Sequence, residues 1–190
     1  MNNILVVSGH PDLGISFANK IILDRLASLL PDAAYVFLDK EYPDWHFDAA
    51  REQQRLLDAD VIVLQFPFFW YGVPSIMKKW MEDVFVHGFS HGSSGTKLHG
   101  KRLLASFTSG APEELYRRGA LQNFPIEDFL VPLRQFASLC GLQWLDFVYS
   151  GGLSSASRQT DAQALLMREK ALAHAERVAA KLKALQEGTA

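Results

Sequence analysis

Short continuous apolar runs alternate along this chain with segments of helical periodicity. Ile4-Leu-Val-Val, bounded by Gly9 and Pro11, reads as a strand buried on both faces. Phe17, Ile21, Ile22, Leu26, Leu29 and Leu30 then recur at helical spacing, with Ser16 as the expected N-cap and Pro31 as the stop. Tyr35–Leu38 is predicted as a second strand, Asp48–Leu57 as a helix, and Val61–Phe66 as the third and most apolar strand. Pro74 suits the first turn of a helix running to Phe85. His87–Gly100 reads as a loop, Arg102–Thr108 as a fourth strand, and Ile126–Cys140 as a helix stopped by Gly141. Leu142–Tyr149 is a fifth strand, and Asp161–Gln186 a long final helix. Alternation of this kind, with near-continuous apolar strands, predicts an α/β fold of three layers: a parallel sheet with helices on both faces. Five strands favour the order 2-1-3-4-5, in which ligands bind beyond the carboxyl ends of the strands near the switch between strands one and three. Candidate chemistry is therefore sought in the loops after Val7, Phe66 and Phe107.

The 190 residues, 48% apolar and 21% charged, fit one domain spanning 1–190, with no internal repeat or linker. A net charge of −2 argues against a nucleic-acid partner, which would call for a basic excess. The single cysteine, Cys140, lies in an apolar stretch and is expected to be a buried, inert thiol. No segment reaches the roughly 18 apolar residues of a membrane span, and the N-terminus lacks the pattern of a signal peptide. The expected location is cytoplasmic.

Three motif matches fail on context. Gly88-Phe-Ser-His-Gly92 fits a hydrolase pattern, with Asp146 and His174 following in order, but no strand precedes Ser90 and no helix follows it. Gly95-Thr-Lys-Leu-His-Gly-Lys101 resembles a phosphate loop, yet Arg102 replaces the hydroxyl that would hold Mg²⁺, and the segment precedes a strand. His87, His91 and His99 sit among glycines without nearby carboxylates, and no metal site is expected.

The three switch-point loops carry more. In Ser8-Gly-His-Pro-Asp-Leu-Gly-Ile-Ser16, a helix N-terminus with Ser16 and Asn19 on one face of its first turn offers an anion site, and His10 adds a donor. Phe66-Pro-Phe-Phe-Trp-Tyr-Gly-Val-Pro74 sets four consecutive aromatics between Pro67 and Gly72, where burying all of them is difficult, so a flat aromatic ligand is expected there. Thr108-Ser-Gly-Ala-Pro112 supplies hydroxyls and backbone N–H groups suited to a carbonyl-rich ring edge, with Tyr116 nearby. A phosphate end, an aromatic slot and a polar clamp together suit a ligand like flavin mononucleotide.

Gly9-His-Pro with Ser16-Phe-Ala-Asn19, followed by Gln65-Phe-Pro-Phe-Phe-Trp-Tyr-Gly-Val-Pro-Ser-Ile-Met-Lys-Lys-Trp-Met-Glu-Asp-Val-Phe85, resembles the flavodoxin-like NAD(P)H:quinone oxidoreductases. That family includes the DT-diaphorase-type enzymes and small bacterial flavoproteins that are ancillary subunits of glutathione-gated potassium efflux systems. The resemblance spans Ile4–Tyr149. It implies a flavodoxin-like fold and flavin binding by His10, Ser16, Phe17, Ala18, Asn19, Pro67, Phe68, Phe69, Trp70, Thr108, Ser109, Gly110 and Ala111. It also implies a homodimer with each active site at the subunit interface. FMN is the expected cofactor and FAD the alternative, since the longer C-terminal part of the animal enzymes is missing. In the implied ping-pong reaction NADPH or NADH gives a hydride to the flavin, donors from Thr108, Ser109 and Gly110 hold the charge, and a quinone or similar planar electrophile takes the hydride. Tyr116 is the candidate to orient or protonate that acceptor. Two departures stand out: Thr108-Ser-Gly-Ala replaces the family's Thr-Thr-Gly-Gly, and the segment after Tyr116, Arg117-Arg-Gly-Ala-Leu-Gln, offers no His. The alternative is a regulatory subunit of a membrane antiporter, docking through Arg117-Arg118 or the helix from Asp161. An electron carrier is disfavoured by the near-neutral charge.

Overall fold

A computed structural model describes residues 3–154 and 158–186 of the chain; residues 1–2, 155–157 and 187–190 of the expected domain lie outside the described residues. The elements run β1 (Ile4–Ser8), α1 (Ala18–Leu29), β2 (Ala34–Phe37), α2 (Leu38–Glu41), α3 (Ala49–Asp58), β3 (Val61–Pro67), α4 (Ser75–Val84), β4 (Arg102–Thr108), α5 (Val131–Leu139), β5 (Gln143–Ser150) and α6 (Asp161–Gln186). All five strands are parallel neighbours in the order β2-β1-β3-β4-β5, as the sequence pattern predicts.

Strand periodicity divides the core. Leu5, Val7, Ile62, Leu64 and Phe66 pack with α3, α4 and α5 on one face, together with the fully buried Trp80. Ile4, Val6, Val61 and Val63 face α1 and α6 on the other, against Ile22, Leu26, Ala175 and Val178. Each aliphatic side chain so buried contributes about 1.5–3 kcal/mol relative to exposure, which is why the central strands read as unbroken apolar runs.

Several boundaries differ from the sequence expectation, four of them with an identifiable local cause. The second strand stops at Phe37, and Leu38 turns under the sheet to open α2, a single turn closed by the Tyr42 N–H on the Leu38 carbonyl. Pro74 is the N-cap of α4 rather than part of its first turn, its carbonyl accepting from the Lys78 N–H. The expected helix Ile126–Cys140 is a 3₁₀ stretch over Ile126–Leu130 followed by α5, because Pro132 has no N–H to carry an α-helical ladder through it. Ser16 does not cap α1; Phe17 occupies that position, with no side-chain cap.

Buried polar groups lock the layers. The Glu52 carboxylate, fully buried on α3, accepts from Tyr42 Oη at 2.8 Å, Trp80 Nε1 at 3.0 Å and Arg55 Nη1 at 2.6 Å. At the amino ends of the strands, Lys101 Nζ donates to the Leu57 and Ala59 carbonyls at the C-terminal end of α3. Cys140 is buried, and burial pushes its thiol above its usual range.

Candidate active site

The loops after β1, β3 and β4 meet at the carboxyl ends of the strands, where parallel strands of this order leave a crevice. They enclose a cleft of about 290 Å³ lined by His10, Ser16–Asn19, Pro67–Phe69 and Thr108–Gly110.

The β1–α1 loop is built by short-range bonds. Gly9 lies so close to α4 that a Cβ there would sit 2.5 Å from Met77 Cε. Its N–H bonds the Gln65 carbonyl. Asp12 N donates to His10 Nδ1 at 3.1 Å, and Leu13 N donates to Asp39 Oδ2 at 2.7 Å. His10 Nδ1 being an acceptor, the ring proton sits on Nε2 as a donor. Burial holds the His10 imidazole below its usual range, against the pull of Asp39 and Asp12, so it is neutral at pH 7. Without a side-chain cap, the N–H groups of the first turn of α1 have no partner among the described residues and form an anion-binding end.

Asn19 behaves differently from expectation. Its side chain turns inward, donating from Nδ2 to Thr108 Oγ1 at 3.1 Å and accepting at Oδ1 from Gln65 Nε2 at 2.8 Å. Only its backbone N–H faces the anion-binding end. Gln65 in turn accepts from Ser106 Oγ at 2.6 Å, and His174 lies 2.8 Å from that same hydroxyl. These couplings join residues 46, 89 and 68 positions apart, beyond the reach of any local pattern.

The aromatic loop splits in two. Phe68 forms a wall shared by the cleft and a second, apolar cavity of about 320 Å³ that also holds Tyr71, Phe129 and Phe136. Phe69 meets the His10 ring edge-on at 6.0 Å between centroids. Trp70 and Tyr71 form a two-residue hairpin, closed by reciprocal bonds between Phe69 and Gly72. Both sit at positive φ, 47° and 66°, where Asn-Gly is preferred. Trp70 is 95% exposed and lies outside the cleft lining, a correction to its expected place. A bulky residue held in this conformation costs about 1–3 kcal/mol. Trp70→Asn is therefore expected to raise the unfolding free energy by about 1 kcal/mol. A less stable variant in thermal unfolding would contradict this reading of the turn.

The β4 loop is zipped to the β5 loop. Ser109 N donates to the Ser150 carbonyl, Gly152 N to that of Ala111, and Leu153 N to that of Ser109. Ser109 Oγ donates to the Ala111 carbonyl at 2.7 Å, so Tyr149 Oη, also at 2.7 Å, donates to Ser109. Ser109 thus has no proton left for a ligand, contrary to expectation. The Gly110 and Ala111 N–H groups have no partner among the described residues, although Ala111 is not in the cleft lining. Burial alone would push the Glu113 carboxyl up, but the Gly151 N–H and Lys170 outweigh it and hold it low.

Tyr116 packs against Phe68, Phe129 and Tyr149, beside the cleft rather than in its lining. Burial pushes its phenol up, opposed by the Ser109 hydroxyl, so it keeps its proton at neutral pH. Ile15, Leu153 and Ser154 complete the lining and were not foreseen. The rule placing ligands at strand carboxyl ends could have pointed to the loop after β5 as well.

The decoy motifs stay apart from this cleft. Ser90 is buried and bonds His91 Nδ1, while His174 bonds Ser106 and Ser150. Lys101, the last residue of the phosphate-loop match, is at the opposite end of the sheet. Arg118 pairs with Asp128 at 3.5 Å, and Arg117 donates to the Glu114 carbonyl.

Burial gives the fold a pH signature. It holds the His174 imidazole far below its ordinary 6.5, at about 3, with Arg177 pushing the same way. As pH falls through 6.5, the unfolded chain binds a proton that the native chain refuses. Stability is complete above 6.5 and is lost toward pH 3 at about 1.4 kcal/mol per pH unit. Urea unfolding is expected to show about 2 kcal/mol less stability at pH 5 than at pH 7 from His174 alone, with His10 adding in the same direction. His174→Gln should flatten this slope; equal wild-type stability at the two pH values would contradict it.

Comparison with known proteins matches this geometry. A family model described as flavodoxin-like fold covers residues 2–175. An uncharacterised NAD(P)H oxidoreductase, YrkL, of Bacillus subtilis (strain 168) is 40% identical over 141 residues, which is 74% of this chain and 80% of that protein. General stress protein 14 of Treponema denticola, solved in complex with FMN, superposes with a TM-score of 0.84 at 23% identity, covering 94% of this chain and 99% of its own. An NADPH-quinone reductase from P. pentosaceus superposes at 0.72 with 25% identity, covering 90% of this chain and 96% of its own. Sheet order, loop chemistry and family model agree that this chain belongs to the flavodoxin-like fold family.

Proposed function

We propose that this chain is a flavin-dependent NAD(P)H:quinone oxidoreductase, a single domain that holds FMN, or alternatively FAD, and uses NADPH or NADH as donor. The observation that carries the reading is the cleft itself. Its lining brings together the N–H groups of the first turn of α1, which have no partner among the described residues, His10 Nε2–H, the rings of Phe68 and Phe69, and Thr108 with the Gly110 N–H. Such a donor set fits a phosphate and a flat, oxygen-edged ring. The oxidoreductase relative from B. subtilis and the quinone reductase from P. pentosaceus support the same class.

A bound flavin supplies two-electron hydride transfer, taken from the nicotinamide and handed in a ping-pong sequence to a quinone or similar planar electrophile. The chain's own residues do the rest. The N–H groups of the first turn of α1 and His10 Nε2–H would donate to the phosphate. Phe68 and Phe69 exclude water from the ring face. Thr108 and the Gly110 N–H would donate to the oxygen-bearing edge of the ring and hold negative charge there. Tyr116, kept protonated by burial, stands beside Phe68 to orient the acceptor or give it a proton. Tyr116→Phe is expected to lower kcat with quinones by about tenfold, within the range for a positioned acid. Unchanged turnover with several quinones would remove Tyr116 from the reaction.

The reading includes a homodimer with the site at the interface. Exposed Tyr71 stacks on Phe129, which touches half-exposed Phe124, giving a contiguous aromatic surface beside the cleft. Sedimentation at micromolar concentration tests this; a monomer would refute it. The buried Cys140 thiol fits the cytoplasmic setting expected from the sequence, and no described helix is long and apolar enough to cross a membrane. No feature of the described residues favours the antiporter-subunit alternative.

The decisive experiment saturates the purified chain with FMN and records its visible spectrum before and after anaerobic NADPH or NADH. Bleaching that a quinone reverses is the expected result. A chain that takes up neither FMN nor FAD would refute the reading.

A further inference from the structure

A continuous line of hydrogen bonds crosses the protein from the surface of α6 to the cleft. Arg177 Nη2 lies 2.8 Å from Ser150 Oγ, which lies 3.0 Å from His174 Nδ1. His174 Nε2 is 2.8 Å from Ser106 Oγ, which is 2.6 Å from Gln65 Oε1. Gln65 Nε2 reaches Asn19 Oδ1 at 2.8 Å, and Asn19 Nδ2 reaches Thr108 Oγ1 at 3.1 Å. Ser150, His174, Ser106, Gln65, Asn19 and Thr108 are all at least 95% buried, and Arg177 alone is exposed.

The direction of this line is fixed at its outer end. A guanidinium only donates, and a hydroxyl has one proton. Ser150 accepts from Arg177, so its own proton goes to its other partner, His174 Nδ1. The ring proton is then on Nε2 and goes to Ser106, whose proton goes to the Gln65 carbonyl oxygen. The Gln65 amide donates to Asn19, and the Asn19 amide donates to Thr108. The Thr108 hydroxyl receives this bond, and its own proton has no acceptor among the described residues. Run in reverse, the line would leave the proton of buried Ser150 without a partner, at a cost of about 1–3 kcal/mol. The neutrality that burial imposes on His174 agrees with an accepting Nδ1.

We infer that Arg177 and His174 are positioning residues that hold the Thr108 hydroxyl as an obligatory donor into the cleft, so that the ligand atom it meets is an acceptor oxygen. The inference rests on the flavin reading for the identity of that ligand, but not for the direction of the line. It also explains why Asn19 turns away from the cleft. A site whose terminal hydroxyl cannot rotate into an accepting role discriminates against a ligand that presents an N–H at that point.

Two measurements test it. In the full chain with ¹⁵N-labelled histidine, long-range ¹H–¹⁵N correlation at pH 7 without added flavin should show His174 as the Nε2–H tautomer. The Nδ1–H form would overturn the inference. Separately, FMN dissociation constants are compared for wild type, Thr108→Val, Arg177→Met and the double variant, with thermal unfolding recorded for each. Each single variant should weaken FMN by about tenfold, the loss of one well-aligned bond. In the Thr108→Val background, Arg177→Met should add less than about twofold, because the coupling vanishes with its endpoint. Effects that simply multiply would overturn the inference, since a structural role for Arg177 does not depend on Thr108. A chain that takes no FMN yet shows the Nε2–H ring would support the donor assignment and overturn the flavin reading instead.

Discussion

Glu52→Ala is expected to lower the unfolding free energy by about 4 kcal/mol, the scale for removing one member of a buried charged cluster. Three donors converge on this carboxylate, from Tyr42, Arg55 and Trp80. Arg55 retains Glu41 as a partner at 2.9 Å, but the Trp80 N–H and the Tyr42 hydroxyl are buried and would be left unpaired. The Tyr42 phenol is pushed up to about 12 by burial and by its bond to Glu52, so it cannot escape by ionising. Glu52→Gln keeps an acceptor oxygen and should cost about half as much. Urea unfolding of the three proteins, fitted with a common slope, reads these differences directly. A loss under 1 kcal/mol for the alanine variant would show that water enters and repairs the site. Because Trp80 sits on α4, directly after the aromatic loop, the variant should also bind FMN less tightly.

Asn19→Asp should weaken FMN binding by more than about 100-fold, because two effects add, and burying the new carboxylate at this 3% exposed position should lower fold stability as well. A carboxylate of the same shape cannot donate to Thr108, so the Thr108 hydroxyl swings to donate to it and is lost to the ligand. The new negative charge also takes up the positive end of α1, where the phosphate is proposed to bind. The same helix end favours the carboxylate by about 0.3–1 kcal/mol, which offsets part of the cost of burying it. Fluorescence titration with FMN and with riboflavin separates the effects. The charge acts on FMN alone, whereas the lost donor weakens both. Wild-type affinity for FMN would contradict both the phosphate position and the role of Thr108.

What the sequence disclosed followed the range of the forces involved. Val61–Phe66 and Ile4–Val7 were legible because strands covered on both faces need unbroken apolar side chains, and that demand is local. The cleft was legible as three loops because proline, glycine and exposed aromatics after a strand have few purely structural uses. Element ends were less so. Leu38 reads as a strand residue by composition, but its burial beneath the sheet is settled by packing against residues distant in sequence. Ser16 has the right chemistry for a cap, yet α1 starts one residue further on, with its N–H groups left open. The inward turn of Asn19 depends on Gln65 and Thr108, and nothing near position 19 encodes it. Ser109 looked like a ligand donor because its proton acceptor, the Ala111 carbonyl, is created only by the tight turn of the loop. Leu153 and Ser154 were overlooked because the loop after β5 carries no distinctive residues.

The clamp of Lys101 on the Leu57 and Ala59 carbonyls lies at the amino ends of the strands, a full strand length from the cleft. Robustness and selectivity therefore occupy opposite poles of one sheet. A lineage or a designer can reinforce the Lys101 pole against heat without disturbing ligand choice. The loops at the other pole can be rewritten for a new acceptor while the far pole keeps the scaffold closed.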